Sequence, residues 1–453
     1  MRLLRTGPYE PGCEKFELIE KFGLQIPNYA ILSHTWGEGE VTYEHVRAPT
    51  AFERSLYSND SGATYESIRD QSVRECEAYS KVVAAMRQAA SDGHEYIWVD
   101  TCCIDKSSSA ELSEAINSMY KWYERAEVCY AILDGVPGPD AANFETEFKT
   151  SRWFTRGWTL QELLAPMHVV FFGRPLTGPW IMLGDRISLC GLISTSTGIA
   201  EEDLDSRYCQ SCTVAQKMSW AAKRNTTREE DVAYCLMGLF SVNMPLLYGE
   251  GPRAFMRLQE EIMKISDDQS IFAWTSPDNQ TIFARTSPET KDAAEPSPDN
   301  VFEYINDPDV KAAMGSVLDS THTPRFPEWI GNGLLATSPK AFSHVGKIMS
   351  KGPPPDRATS YQMTNRGLRI SLSLTPLRLF GTRDRKIFAA NLGCGVEIER
   401  HQFLQVGIYL QPTRRLPSAT NRNQFDRVRC DKLIWGVPEN NKLTEIYVQQ
   451  RRI

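Results

Sequence analysis

Four short, nearly unbroken apolar runs stand out in the first part of the chain: Tyr29–His34 (YAILSH), Tyr96–Asp100 (YIWVD), Val128–Leu133 (VCYAIL) and His168–Phe172 (HVVFF). Strands buried on both faces read this way, whereas strands with one wet face alternate, so the runs predict an α/β fold with a parallel sheet flanked by helices. Between them the period lengthens. Tyr79, Val82, Val83, Met86 and Ala90 fall on one face of a predicted helix over 66–90. Ser108 and Glu111 make a capping-box signature ahead of Ile116, Met119, Tyr120 and Tyr123, predicting a helix from about Ser109 to Ala126. A third helix is expected through Trp158–Leu164, stopping at Pro166. This alternation produces a right-handed, doubly wound sheet, and such sheets bind ligands at the carboxyl ends of their strands.

Beyond Gly173 the pattern is mostly helical, with a capping box at Thr227 and Glu230 ahead of Val232–Phe240, then Pro252 opening a helix through Phe255, Leu258 and Ile262. These added helices are expected to complete a first domain over 1–274. Residues 275–324, rich in Pro, Ser, Asp and Thr with repeated Ser-Pro steps, predict a linker or long surface excursion. Leu368, Ile370, Leu372 and Leu374 alternate with polar residues, as do Leu404, Val406, Ile408 and Leu410, predicting a β-rich C-terminal domain over 325–453.

Composition narrows the function classes. A chain of 453 residues exceeds what one hydrophobic core usually serves, and 41% hydrophobic with 24% charged residues is the balance of an ordinary globular protein. A net charge of −7 gives no broad footprint for nucleic acid or anionic membrane. Met1–Gly23 lacks the apolar run of a signal peptide, and no stretch is apolar enough to span a bilayer, so the expected location is cytoplasmic. Eleven cysteines, an odd number without framework spacing, fit reduced thiols. Cys209 and Cys212 form a lone Cys-x-x-Cys with no second pair at zinc-finger spacing, so neither a metal nor a resident cofactor is expected.

Candidate chemistry gathers at three places on or after strand ends: Ser33-His34-Thr35-Trp36-Gly37, Asp100-Thr101-Cys102-Cys103-Ile104-Asp105-Lys106, and Arg156-Gly157-Trp158-Thr159-Leu160-Gln161-Glu162-Leu163. Trp36 or Trp158 could stack on a flat ring, and Arg156 could pair with a phosphate through its guanidinium fork. Asp100 and Asp105 could bind a ribose or a metal, but helix caps and turns account for them somewhat better. Cys102 or Cys103 beside His34 offers a thiol nucleophile as an alternative. No Gly-x-Gly-x-x-Gly fingerprint or Walker loop supports conventional dinucleotide or triphosphate binding.

Together with Thr227–Phe240 and Met244–Gly251, these blocks resemble the signature of the HET domain of fungal heterokaryon-incompatibility proteins, from about Tyr29 to Gly251. The resemblance implies self/non-self recognition in fungi, with programmed cell death when incompatible cells fuse. It also implies a fold similar to the TIR domain, a flavodoxin-like parallel sheet that in many immune proteins cleaves NAD or assembles into signalling scaffolds. Self-association and a further incompatibility or signalling protein are the partners so implied. Many plant-type TIR domains carry their catalytic glutamate in a Trp-Cys-Leu-x-Glu-Leu helix between the third and fourth strands. Trp158-Thr159-Leu160-Gln161-Glu162-Leu163 occupies that slot with Thr159 in place of the cysteine, which makes Glu162 the catalytic candidate. Ser33, His34, Trp36, Asp100, Cys102, Asp105, Arg156 and Trp158 are then candidate substrate-binding residues, with NAD as candidate substrate. An ionised carboxylate beside the ribose stabilises an oxocarbenium-like transition state. The rival reading is a non-enzymatic scaffold that signals by domain assembly.

Overall fold

The computed structural model of the chain describes residues 1–7, 16–37, 40–47, 77–174, 180–205, 209, 211–275, 333–350, 361–377, 386–398, 402–413, 423–428, 430, 433–437 and 442–450. The expected linker lies outside the described residues apart from Thr275, as does the 66–76 portion of the first expected helix. The chain forms two compact units, Met1–Gln210 with Arg224–Thr227 and Tyr234–Leu246, and Ser211–Lys223 with Arg228–Ala233 and Leu247–Ile453.

The first unit is built on a seven-stranded sheet in the order β2-β1-β4-β3-β5-β6-β7. Its centre is the four expected strands, β3 (Ala30–Ser33), β4 (Tyr96–Trp98), β5 (Val128–Asp134) and β6 (Val169–Arg174), all parallel. The edges correct the expectation of a purely parallel sheet. β1 (Arg2–Arg5) and β2 (Leu18–Glu20) add antiparallel beside β4, and β7 (Ile181–Asp185) adds antiparallel beside β6. Leu3 and Leu4 of β1 are fully buried, but two apolar residues between arginines are too few to show a period.

Numbered by chain order, the parallel strands run 2-1-3-4, so the direction of winding reverses between β3 and β5. A crevice opens beyond the carboxyl ends of the strands at such a reversal. The three expected helices are α2 (Glu77–Ser91), α4 (Ser109–Arg125) and α6 (Thr159–Leu164); α1 (Tyr43–Arg47), the single turn α3 (Asp100–Cys103) and α5 (Phe144–Thr150) were not expected. Ser108 caps α4 by accepting from the Glu111 N–H at 3.3 Å. The Glu111 carboxylate does not close the box; it accepts from the Asp105 N–H at 2.8 Å and pairs with Arg2. The helix expected over Val232–Phe240 is instead one turn, Asp231–Tyr234, and a 3-10 turn, Gly238–Phe240.

The second unit takes in α8 (Arg253–Ile265), a helix expected to complete the first domain, and α7 (Val214–Ala221), which was not singled out in the sequence. Its strands are β8 (Met349–Ser350), β9 (Gln362–Thr364), β10 (Gly367–Leu377), β11 (Ile387–Ile398), β12 (Gln402–Pro412), β13 (Gln424–Val428), β14 (Ile434–Trp435) and β15 (Leu443–Val448). β12, β13, β15, β10 and β11 pair in succession, and β11 pairs back onto β12, so these strands close into a ring and protect their own edges. A register shift between Asn391 and Gly395 bends β11, with Gly393 at φ 61°, a left-handed conformation that glycine adopts without steric cost.

Candidate functional site

Most of the expected residues gather at the carboxyl end of β3, the strand that borders the reversal, together with the end of β4. Ser33 ends β3, and its hydroxyl donates to the Glu162 carboxylate while accepting from the Trp153 indole N–H at 2.8 Å. Trp153 is held by a 3-10 turn, Arg152–Thr155, capped by Ser151, and its ring packs edge-on against Phe154 and Phe171. This fixes the hydroxyl, and through it the carboxylate.

Glu162 stands in the first turn of α6 and is only 7% exposed. Burial pushes its pKa up to about 8; the Ser33 hydrogen bond, the nearby Tyr123 hydroxyl and the Arg224 guanidinium oppose that shift, and the Asp100 charge adds to it. A carboxyl so placed holds its proton at neutrality. Arg224 is anchored by Nη1, which donates at 2.9 Å to both the Arg156 carbonyl and the Thr159 hydroxyl. Its segment docks by the Gly157 N–H donating to the Asn225 carbonyl at 2.9 Å. A Cβ on Gly157 would lie 2.5 Å from Thr226 Cγ2, so a larger residue there forces the segment away.

A second group of charges adjoins the first. The His34 imidazole is buried between carboxylates, its Nε2 3.5 Å from Glu40 and its Nδ1 3.9 Å from Asp100, yet neither nitrogen has a well-directed hydrogen bond among the described residues. Burial pushes the Glu40 carboxyl up, but His34, the Lys81 ammonium at 2.5 Å and the Gly37 N–H together outweigh it and hold the pKa at about 2. Asp100 accepts from the Trp36 indole N–H at 2.8 Å, and Trp36 is 45% exposed. The Gln161 amide nitrogen is buried without a partner among the described residues. Buried polar groups with unused hydrogen-bonding capacity are rare in folded proteins and are suited to receive a polar ligand.

The side chains of the remaining expected residues make other contacts. Cys102 is fully buried, its thiol donating to the Val41 carbonyl at 3.3 Å, and burial pushes its pKa well above the ordinary thiol value. A thiol in that state is a poor nucleophile. Asp105 forms a turn, accepting from the Ser107 N–H at 2.9 Å and the Ser107 hydroxyl at 2.5 Å. Arg156 turns its guanidinium toward the Thr227 hydroxyl at 3.4 Å, and Trp158 precedes α6 half-buried. Glu40, Lys81, Tyr123, Trp153, Gln161 and Arg224 complete the cluster without having been marked as site residues in the sequence. Trp153 was legible as an aromatic core position; the others are single polar residues in helices and loops, and only their burial distinguishes them.

Among the described residues no group of three or more His, Cys, Asp or Glu is arranged to hold a metal ion, and no helix is long and apolar enough to cross a membrane. Residues 29–137 match the family described as heterokaryon incompatibility protein (HET), and residues 253–391 match a domain of unknown function (DUF8212). The first match covers Ser33, His34, Trp36, Glu40 and Asp100 and stops before Trp153 and Glu162. The chain is also similar to the vegetative incompatibility protein HET-E-1 of Podospora anserina, 44% identical over 248 residues. That alignment covers 53% of this chain and 16% of the relative, so the chain corresponds to a small part of it. No solved structure matches the chain.

Proposed function

We propose, from the premise that residues 29–137 are a heterokaryon-incompatibility domain, that this protein acts in fungal non-self recognition and the cell death that follows, and that its crevice cleaves NAD with Glu162 as the catalytic carboxylate. The relative's name supports the biological setting. The 2-1-3-4 strand order is also the order of flavodoxin-like sheets, to which TIR domains are similar.

One observation carries the chemistry: a buried carboxyl, positioned through Ser33 by Trp153, at the reversal of the winding. In the reaction the bond between C1′ of the ribose and the nicotinamide nitrogen breaks, its electron pair neutralising the pyridinium. Water adds to C1′ and loses a proton. Glu162 ionises beside the cationic substrate and stabilises the positive charge developing on the ribose. The His34 imidazole, between Glu40 and Asp100, is placed to relay the proton.

The test is nicotinamide release from NAD by concentrated chain under conditions that promote self-association, comparing wild type with Glu162→Ala and Glu162→Gln. Both variants should be inactive while folded, and wild-type kcat/KM should rise with pH through about 8 as the carboxyl ionises. The near-complete burial of Glu162 favours one second reading, a scaffold in which the carboxyl is structural. Folded, assembled wild type that releases no nicotinamide establishes the scaffold.

A further inference from the structure

The cluster contains one cation that is poorly tied down. Lys81 is buried and ion-paired with Glu40 at 2.5 Å. Lys106, on the turn after α3, is an exposed side chain whose ammonium makes no ion pair within 4 Å among the described residues. Instead its Nζ lies 3.5 Å from the centroid of the Trp36 ring. That ring is unusual in being both exposed and fixed, because its indole N–H is held by Asp100. Although the lysine side chain reaches solvent, its head is crowded by the ring, which holds its pKa below the ordinary lysine range, against the pull of Asp100 and Glu40.

We infer that Trp36 and Asp100 form a platform for a planar pyridinium cation, and that Lys106 is its built-in occupant, which the ligand must displace. The choice of a pyridinium rests on the NAD reading above; the competition with Lys106 rests on geometry alone. A ring face backed by a carboxylate attracts a delocalised cation by stacking and by charge. A neutral ring that pushed Lys106 aside would leave Asp100 without its nearby positive charge, so the resident lysine discriminates against neutral bases. It also keeps the platform covered in the resting chain.

The experiment titrates the full chain carrying Glu162→Gln, which prevents turnover, with 1-methylnicotinamide and with its uncharged counterpart nicotinamide, following tryptophan fluorescence and calorimetry. The cation should bind at least about tenfold more tightly than the neutral ring. Adding Lys106→Met should tighten the cation by about tenfold, and adding Trp36→Leu should remove its binding. Lys106 is exposed, so its substitution leaves the fold intact, which circular dichroism checks. Equal binding of the two rings, no binding by any variant, or a Lys106→Met chain that binds the cation no better than its parent each overturns the proposal. Failure of wild type to release nicotinamide, with this order of affinities intact, sinks the NAD-cleaving reading and leaves the platform standing.

Discussion

The surroundings of Arg427 in the second unit and the Glu162 cluster in the first bury polar groups in opposite ways. In the second unit, Arg427 is almost fully buried with no carboxylate partner among the described residues, yet its guanidinium donates to the carbonyls of Phe272 at 3.0 Å and Trp274 at 2.5 Å and lies 3.9 Å over the Trp274 ring. Gln259 of α8 likewise bridges both backbone groups of Ala336, donating to its carbonyl at 2.7 Å and accepting from its N–H at 2.9 Å. These side chains act as staples, saturated by backbone. In the Glu162 cluster of the first unit His34, Glu40 and Gln161 each retain a buried polar atom without a directed partner among the described residues, and the carboxyls of Glu40, Asp100 and Glu162 lie close together. Satisfied buried polarity fastens a fold, whereas unsatisfied buried polarity costs stability and persists where a ligand can complete it.

Substitutions can break this contrast. The largest stability loss is expected from Trp153→Ala, about 3–5 kcal/mol for an aromatic removed from a packed core, with nicotinamide release lost as Ser33 is freed. Trp153→Phe should retain most of the stability and lose the activity, because it keeps the ring packing and removes only the N–H that orients Ser33; urea unfolding alongside the release assay separates the two. Arg427→Met should cost about 2–4 kcal/mol by leaving two buried carbonyls unpaired, and should leave the release rate of the folded fraction unchanged. A changed rate in folded Arg427→Met would blur the distinction between staple and site.

Two substitutions sharpen the contrast through pH. Glu40 has a folded pKa of about 2, below its ordinary value of 4.5, so its stabilisation is present above pH 4.5 and disappears as pH falls through 2. Glu40→Gln should therefore cost on the order of 2–3 kcal/mol at pH 7 and little at pH 2. Glu162 has the opposite sign. Its pKa is raised from 4.5 to about 8, so the folded chain keeps a proton that the unfolded chain has lost, and stability falls as pH rises between those values. Glu162→Gln should gain in Tm over wild type from pH 5 to 8, the gap levelling off above that; a constant gap would mean that the carboxyl is not desolvated. The smallest effect is expected from Cys102→Ala, about 1 kcal/mol in stability and none in nicotinamide release, since the thiol is protonated and sealed.

Much of the first unit was legible in the chain. Continuous apolar runs located all four central strands within one or two residues, because a strand buried on both faces cannot hide its composition. Alternation located β10 and β12 for the converse reason. β11 was missed because its Ala-Ala-Asn-Leu-Gly-Cys-Gly stretch carries small residues and a register shift where a period was sought. The edge strands were missed because runs of three to five residues hold no clear period. The placement of α8 in the second unit was also hidden, since an amphipathic face shows that a helix is buried but not against what.

Of the site, the sequence by itself determined the residue types and their approximate location at strand ends, because strand order and handedness restrict where polar residues can converge. It marked Ser33, His34, Trp36, Asp100 and Glu162. Only the tertiary structure decided that Glu162 is bound to Ser33 across 129 positions of chain, that Glu40 and Lys81 belong to the same cluster, and that Cys102, Asp105 and Arg156 serve other contacts. Ionisation depends on desolvation and on neighbours a few ångströms away, and neither is a property of a residue's place in the chain.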